Sequence, residues 1–264
     1  MRFSGMNPKE IVLEFVNTKL EGDIDALQFY SFSGLEGSDF GRTTCGYFDE
    51  DDTLLARAMM FLIWENKLPQ LTSFDQIGSG QLYRGETINT YNTLFGKESQ
   101  FREHIEDDDL IAMINFFKQR YVSIGNFMLM PSCSYKNSSI NSYRGSSSHW
   151  GDYFDKFLFE LDKCLQGNIK ESDEQLLALV NKNSFYFKDI DRIEMFCEKN
   201  YLSSYLVSKQ VQLFFEQRLT HEIENTVEAK QKYNVFAINY LNKVDEIINK
   251  RSSVIMDIIK EKIK

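Results

Sequence analysis

The stretch Leu241-Asn-Lys-Val-Asp-Glu-Ile-Ile-Asn-Lys-Arg-Ser-Ser-Val-Ile-Met-Asp-Ile258 decides the fold class. Its apolar residues Leu241, Val244, Ile248, Ile255 and Ile258 recur in steps of three, four and seven, an a/d-like heptad pattern that Arg251 interrupts. The pattern predicts one long helix running from about residue 225 to 262. Such a stripe has two uses: it closes a bundle as a core helix, or it pairs with a second copy as a coiled-coil homodimer.

Towards the N-terminus the same periodicity predicts helices at about 201 to 221, 188 to 199 and 172 to 182. The segment Trp150 to Leu165 is strongly amphipathic, with Tyr153, Phe154, Phe157, Leu158, Leu161 and Leu165 on one face, and Gly167 ends it. Asp107 to Arg120 starts acidic and ends with Lys118 and Arg120, as the helix dipole prefers. Leu54 to Trp64 is apolar nearly all round, the mark of a buried helix, with Asp52 or Thr53 as its cap. Pro8 suits a first helical turn, after which Ile11, Leu13, Phe15, Val16 and Leu20 recur at near-helical spacing up to Gly22. Gly34 to Gly46 reads as a loop, and Phe127 to Met130 as a short strand. The expected fold is mainly α, a helical bundle-like single domain with a small β element near residues 124–131. Residues 1–224 form a mainly helical domain carrying a polar pocket, and 225–264 a helix packed on it or mediating self-association.

A chain of 264 residues with 42% hydrophobic residues can bury a substantial core. Three prolines and 14 glycines leave little material for irregular linkers, and no internal repeat is evident. The frequent Lys, Asn and Ile suggest an AT-rich bacterial genome. Cys45, Cys133, Cys164 and Cys197 contain no CxxC pair, so reduced thiols are expected rather than a zinc or redox centre. With no apolar leader and no membrane-length apolar run, a cytoplasmic location without membrane contact is expected. Net charge is −9, and residues 1–52 hold eleven acids against four bases, including the run Asp49-Glu-Asp-Asp52. A field of that sign repels phosphate backbones, so general nucleic-acid binding is not expected.

Two polar blocks stand out from this scaffold: Tyr83-Arg-Gly-Glu-Thr-Ile-Asn-Thr-Tyr-Asn-Thr-Leu-Phe95, and Ile124-Gly-Asn-Phe-Met-Leu-Met-Pro131 continuing through Asn141-Ser-Tyr-Arg-Gly145. Each places an arginine before a glycine among amides and hydroxyls. A guanidinium forks onto phosphate or carboxylate, glycine lets backbone N–H groups approach, and Asn, Ser and Thr complete the shell. The candidate ligand-binding residues are Arg84, Glu86, Thr87, Asn89 and Thr90 in the first block, and Asn126, Asn141, Ser142 and Arg144 in the second. His149 and Asp152 lie just beyond. The expected ligand is an anionic or nucleotide-type small molecule held between Arg84 and Arg144. The same residues can instead be structural ion pairs in a protein-interaction module.

The spelling Arg-Gly-Glu-Thr-Ile-Asn-Thr, Ile-Gly-Asn-Phe-Met-Leu-Met-Pro, Asn-Ser-Tyr-Arg-Gly and Asp152-Tyr-Phe-Asp155 resembles a bacterial family whose domain has no assigned activity. That resemblance covers roughly residues 83 to 158 and implies no chemistry. The second block is also similar to the back half of HNH-type nucleases, with Glu103-His104-Ile105 matching the start of their acid-His-Ile-x-Pro element, although Asp107 stands where the proline belongs. That likeness implies a metal-dependent phosphodiesterase with His104 as general base, Glu103 and Asn141 on a divalent metal, and Asn126 orienting the histidine. No cofactor is implied otherwise. Tyr83-Arg84-Gly85, Ser146–Ser148 and Glu222-Ile-Glu224 superficially follow the order of ADP-ribosyltransferase motifs, but that fold needs strands where helices are expected.

Overall fold

The computed structural model describes residues 6–78, 82–88, 108–144, 154–168, 172–214 and 226–264. Among these residues there are nine α-helices: α1 (Pro8–Lys19), α2 (Leu54–Trp64), α3 (Asp108–Tyr121), α4 (Ile140–Arg144), α5 (Phe154–Leu165), α6 (Glu174–Lys182), α7 (Ser184–Phe187), α8 (Ile193–Lys199) and α9 (Val227–Ile263). Four short strands, β1 (Leu82–Glu86), β2 (Phe127–Pro131), β3 (Leu206–Val207) and β4 (Gln210–Val211), form two antiparallel pairs. The fold is therefore mainly α with a small β element.

Local chemistry sets the helix starts. At α1 the Asn7 side chain accepts from the Glu10 N–H at 2.9 Å and the Glu10 carboxylate accepts from the Asn7 N–H at 2.9 Å, while Pro8 fills a position with no donor to lose. A cap of this kind contributes about 1 kcal/mol. Thr53 caps α2, accepting from Ala56 N–H at 3.2 Å. Every residue of α2 except Phe61 is buried, as its all-round apolar composition requires.

The long helix α9 packs against α1, α2 and α3. Leu241, Val244, Ile248 and Ile255 are buried there and Ile258 is half-buried, so this stripe is spent within the chain itself. Arg251, which breaks the heptad, is a core tie: its Nε donates to the Asn200 carbonyl at 3.2 Å and its Nη1 to the Gly125 carbonyl at 2.5 Å. Gly125 makes that approach possible. A Cβ on it would lie 1.9 Å from Ser252 Oγ and 2.6 Å from the Ile248 carbonyl oxygen.

β2 is buried at every position and needs a partner for its backbone N–H and C=O groups. That partner is β1, with Arg84 opposite Leu129 and Gly85 opposite Met128. The first polar block thus begins as a strand, although its Arg-Gly-Glu composition has little intrinsic strand preference; pairing with a buried edge supplies the preference.

Two expected helices differ. Between 201 and 214 the chain forms a 3-10 turn at Ser203–Tyr205 and the β3–β4 hairpin, closed by Ser208 and Lys209 with φ of 49° and 69°. Two successive left-handed residues build a primed hairpin turn, and β-branched Val207 and Val211 suit the flanking strands. The expected helix at 188 to 199 begins only at Ile193, because α7 ends at Phe187 and the chain turns at Lys188–Arg192.

Candidate functional site

Alternation along β1 places Arg84 and Glu86 on one face and Gly85 on the other. Arg84 reaches a 3-10 turn at Glu50–Asp52, just ahead of α2. Its Nη2 lies 3.2 Å from Asp49 Oδ2 and 3.3 Å from Asp52 Oδ2, and its Nε 3.0 Å from Asp51 Oδ1, the last an ion pair without hydrogen-bond alignment. Burial opposes the Arg84 charge, but the three carboxylates together hold its pKa above the ordinary value. Asp52 is fully buried and further satisfied by the Thr44 and Cys45 N–H groups at 2.6 and 2.9 Å and by the Thr44 hydroxyl. Arg57 closes the cluster from α2, its Nε 3.1 Å from the Asp52 carbonyl and 3.6 Å from Asp52 Oδ1. Gly78 roofs Arg84 in a left-handed conformation (φ 85°), and a Cβ there would meet Arg84 Nη1 at 2.6 Å.

The carboxyls of this cluster are unequal. Asp51 is pushed well above the usual carboxylate range, first by burial and then by the charges of Glu86 and Asp49, with Arg84 opposing. Glu86 is also raised, by burial and by Asp49 and Glu50, with Arg144 opposing. The charge on Glu86 thus favours the protonated form of Asp51.

The second block is used differently. Arg144 is 2% exposed; its Nη1 donates to the Thr87 carbonyl at 3.3 Å, its Nη2 to Asn141 Oδ1 at 2.8 Å, and its guanidinium lies 5.5 Å from the centre of the Phe154 ring. Asn141 in turn lies against Gly85, where a Cβ would meet its amide at 2.7 Å. Asn126 is fully buried and its amide is fully spent. Oδ1 accepts from the Thr87 hydroxyl and Ile88 N–H at 2.7 and 2.8 Å, and Nδ2 donates to the Ile88 and Tyr121 carbonyls at 2.9 Å. Thr87 is committed to the same knot.

The expected shared fork between Arg84 and Arg144 is therefore not what the geometry builds. Both arginines influence or border Glu86, but Arg84 is neutralised by the acidic run and Arg144 ties α4 to the end of β1. In the arrangement implied by the nuclease likeness, Asn126 has no donor or acceptor left for a histidine. One lone pair of Asn141 Oδ1 faces a guanidinium, a neighbour that repels a second cation. Ser142 is bonded to Ser139, and Asp155 accepts from the Phe214 N–H at 2.7 Å. Asn89, Thr90, Glu103, His104, His149 and Asp152 lie outside the described residues. Among the described residues no group of three His, Cys, Asp or Glu is arranged to hold a metal.

The sequence reading missed Asp49, Asp51 and Arg57. One signal was present: a run of four acids ending at the cap of a buried helix demands a counter-charge, and Arg57 is the single charged residue within that otherwise apolar helix. The four cysteines are free, and burial pushes Cys164 up to about 11 and Cys197 to about 12, which leaves both thiols unreactive. No described helix is long and apolar enough to cross a membrane. Compared with family models, curated proteins and solved structures, the chain has no match.

Proposed function

We propose that the cluster of Asp51, Arg84 and Glu86 is a small-molecule site with acid–base capacity, and that its ligand is of the nucleoside type. The observation that carries this reading is geometric: Asp51 Oδ1 lies 3.0 Å from Arg84 Nε and Glu86 stands on the same face of β1 as Arg84, with burial raising both carboxyls. A protonated carboxyl next to an ionised one offers a donor and acceptors together, which suits the mixed edge of a nucleobase or a sugar diol. Arg84 organises the acids rather than gripping a phosphate, because three carboxylates already surround it. Glu86, half-buried where Asp51 is buried, is the member placed to meet a ligand.

Saturation-transfer NMR with adenosine, cytidine, their monophosphates and inorganic phosphate, at pH 6 and pH 8, tests the reading. Nucleosides should bind the wild type, phosphate alone should not, and Glu86→Gln should weaken binding and remove its pH dependence. Equal signals for the wild type and Glu86→Gln, or none, would reject it.

The compensation of Arg84 favours a second reading, in which the cluster is an electrostatic staple between the turn before α2 and strand β1 in a protein-interaction module. On that reading Glu86→Gln stabilises the fold by relieving a buried charge and changes no ligand signal. The nuclease alternative rests on Glu103 and His104. Plasmid nicking with Mg²⁺ or Mn²⁺, compared with His104→Ala, tests it independently.

A further inference from the structure

Away from β1, the buried end of Arg251 points to a second site. Two of its guanidinium nitrogens are used by the Gly125 and Asn200 carbonyls, and its ring neighbour is Trp64, whose centre lies 5.9 Å away. Its third nitrogen, Nη2, is buried without a hydrogen-bond partner in the protein. Burial pushes the Arg251 pKa down to about 10, the signature of a cation lacking a counter-charge. Arg251 borders a cavity of about 320 Å³ that also takes in Lys67, Tyr201, Ser204 and Lys250. The Ser204 hydroxyl is likewise buried and unpartnered.

Lys67 and Glu198 also line an adjoining cavity of about 680 Å³. Lys67 Nζ donates to the Glu198 carbonyl at 2.7 Å and lies 3.8 Å from the centre of the Tyr201 ring, and burial, opposed by the Glu198 charge, lowers its pKa. The larger cavity has apolar walls from Phe185, Ile190 and Met195, and a lysine, Lys199, whose Nζ donates to the Tyr186 carbonyl at 2.9 Å. Gln70, on the same wall, carries a buried amide nitrogen without a partner. The acids bordering the pair of cavities are Asp189 and Glu198, both exposed, while Lys250 is paired with Glu246 at 2.5 Å. Among the described residues the buried side of the site is thus cationic and donor-rich, and the carboxylates that act on its lysines, Glu198 on Lys67 and Asp189 on Lys199, lie on the exposed rim.

We propose that the two cavities form one binding site for a small organic anion, its phosphate or carboxylate head beside Arg251, Ser204 and Lys67 and its apolar body along Phe185, Ile190 and Met195. The head group brings an anionic charge to the side of the cavity where buried Arg251 and the Ser204 hydroxyl have no acceptor for Nη2 and Oγ, and adds to the balancing of half-buried Lys67 by exposed Glu198. The body covers apolar walls that the head alone leaves wet. This site shares no residue with the Asp51–Glu86 cluster.

Calorimetric titration of the full chain with phenyl phosphate, 3-phenylpropionate, inorganic phosphate and benzyl alcohol tests the proposal. One or both organic anions should bind at least about tenfold more tightly than phosphate alone or the neutral alcohol, and which one binds identifies the head group. Lys67→Met should weaken that binding by about tenfold. It is the safer variant, because Arg251 holds the core and Arg251→Met endangers folding. Lys199 gives a second readout. Burial, opposed by Asp189, pushes its pKa down to about 8, so about a quarter is unprotonated at pH 7.5, against roughly a thousandth of an ordinary lysine. Trinitrobenzenesulfonate should therefore label Lys199 ahead of exposed lysines, and a bound anion should protect it. The proposal is overturned if neither anion saturates at millimolar concentration, if benzyl alcohol binds as well as they do, or if a folded Lys67→Met binds unchanged.

Discussion

Arg84 is held by three carboxylates within 3.3 Å, whereas Arg144, sixty residues later in a similar Arg-Gly setting, is held by a backbone carbonyl, an amide oxygen and an aromatic face. Both side chains are shielded from water, so burial does not separate them. The difference lies in what the chain delivers to each. Asp49–Asp52 arrives from a turn some thirty residues upstream of β1 and neutralises one guanidinium. The short helix α4 carries the other back onto the end of β1, where it donates to the Thr87 carbonyl and the Asn141 amide oxygen and its charge opposes the raised pKa of Glu86. An arginine in a polar motif therefore becomes an anion fork, a charge staple or a carbonyl clamp according to what meets it, and the motif alone does not decide which.

The comparison is broken or sharpened most directly by removing each guanidinium. Arg84→Met leaves three carboxylates clustered without their shared cation and should cost about 3 to 5 kcal/mol at pH 7.5. Arg144→Met loses hydrogen bonds, a ring contact and the charge that opposes the raising of Glu86, and should cost about 1 to 3 kcal/mol. Urea denaturation measures both. Acidification separates them further. Without Arg84, Asp51, already raised by burial and by the charges of Glu86 and Asp49, loses its opposing charge and rises further, so the fold binds a proton that the unfolded chain does not. That contribution is present at low pH and is lost as pH rises, so the Arg84→Met deficit should be smaller at pH 5 than at pH 8. A deficit that grows on acidification would contradict the acidic cage.

The glycines beside each arginine give the next test, with smaller effects. Gly78→Ala combines a left-handed backbone with a Cβ 2.6 Å from Arg84 Nη1, and Gly85→Ala drives a Cβ to 2.7 Å from the Asn141 amide. Each should cost about 1 to 3 kcal/mol. Their couplings should be selective. Gly78→Ala should cost less in an Arg84→Met background, and Gly85→Ala should cost less when Asn141 is also alanine. Additive behaviour in both cycles would show that neither glycine is there for its arginine.

Much of the scaffold was legible in the sequence because it is written in periodicity. The stripe from Leu241 to Ile255, the segment Leu54–Trp64, apolar but for Arg57, and the capped start at Pro8 each fix a helix through local pattern. The hairpin at Leu206–Val211 was not legible as such, since two-residue strands carry too little alternation to outweigh a helical reading of their neighbours. The site was half legible. Arg84 and Glu86 could be singled out by composition, but their partners Asp49, Asp51 and Asp52 follow from the meeting of distant segments, and Asn126 looked chemical only because a saturated amide is spelled like an unsaturated one. The arginine in the heptad stripe is the converse case: Arg251 looked like a defect and proves to be the tie between α9, the Gly125 turn and Asn200.

The smallest effect, and the one that bears most closely on the proposed site, comes from Asp51→Asn. In the wild type, burial and the charges of Glu86 and Asp49 raise the Asp51 pKa above its ordinary 3.8. The folded protein then holds a proton that the unfolded chain has released, so this group's contribution to stability is full below about pH 4 and is lost as pH rises towards its folded pKa. Asparagine removes that titration and keeps an oxygen for Arg84, at the cost of one of three charges around the guanidinium. Near neutral pH these changes oppose one another and the net effect should stay within about 1 kcal/mol. The pH dependence is the decisive quantity. Relative to the wild type, Asp51→Asn should be at its worst near pH 4 and should improve steadily towards pH 7. If the variant instead loses ground as pH rises, Asp51 is an ordinary ionised partner of Arg84, and the staple replaces the acid–base site as the reading of this cluster.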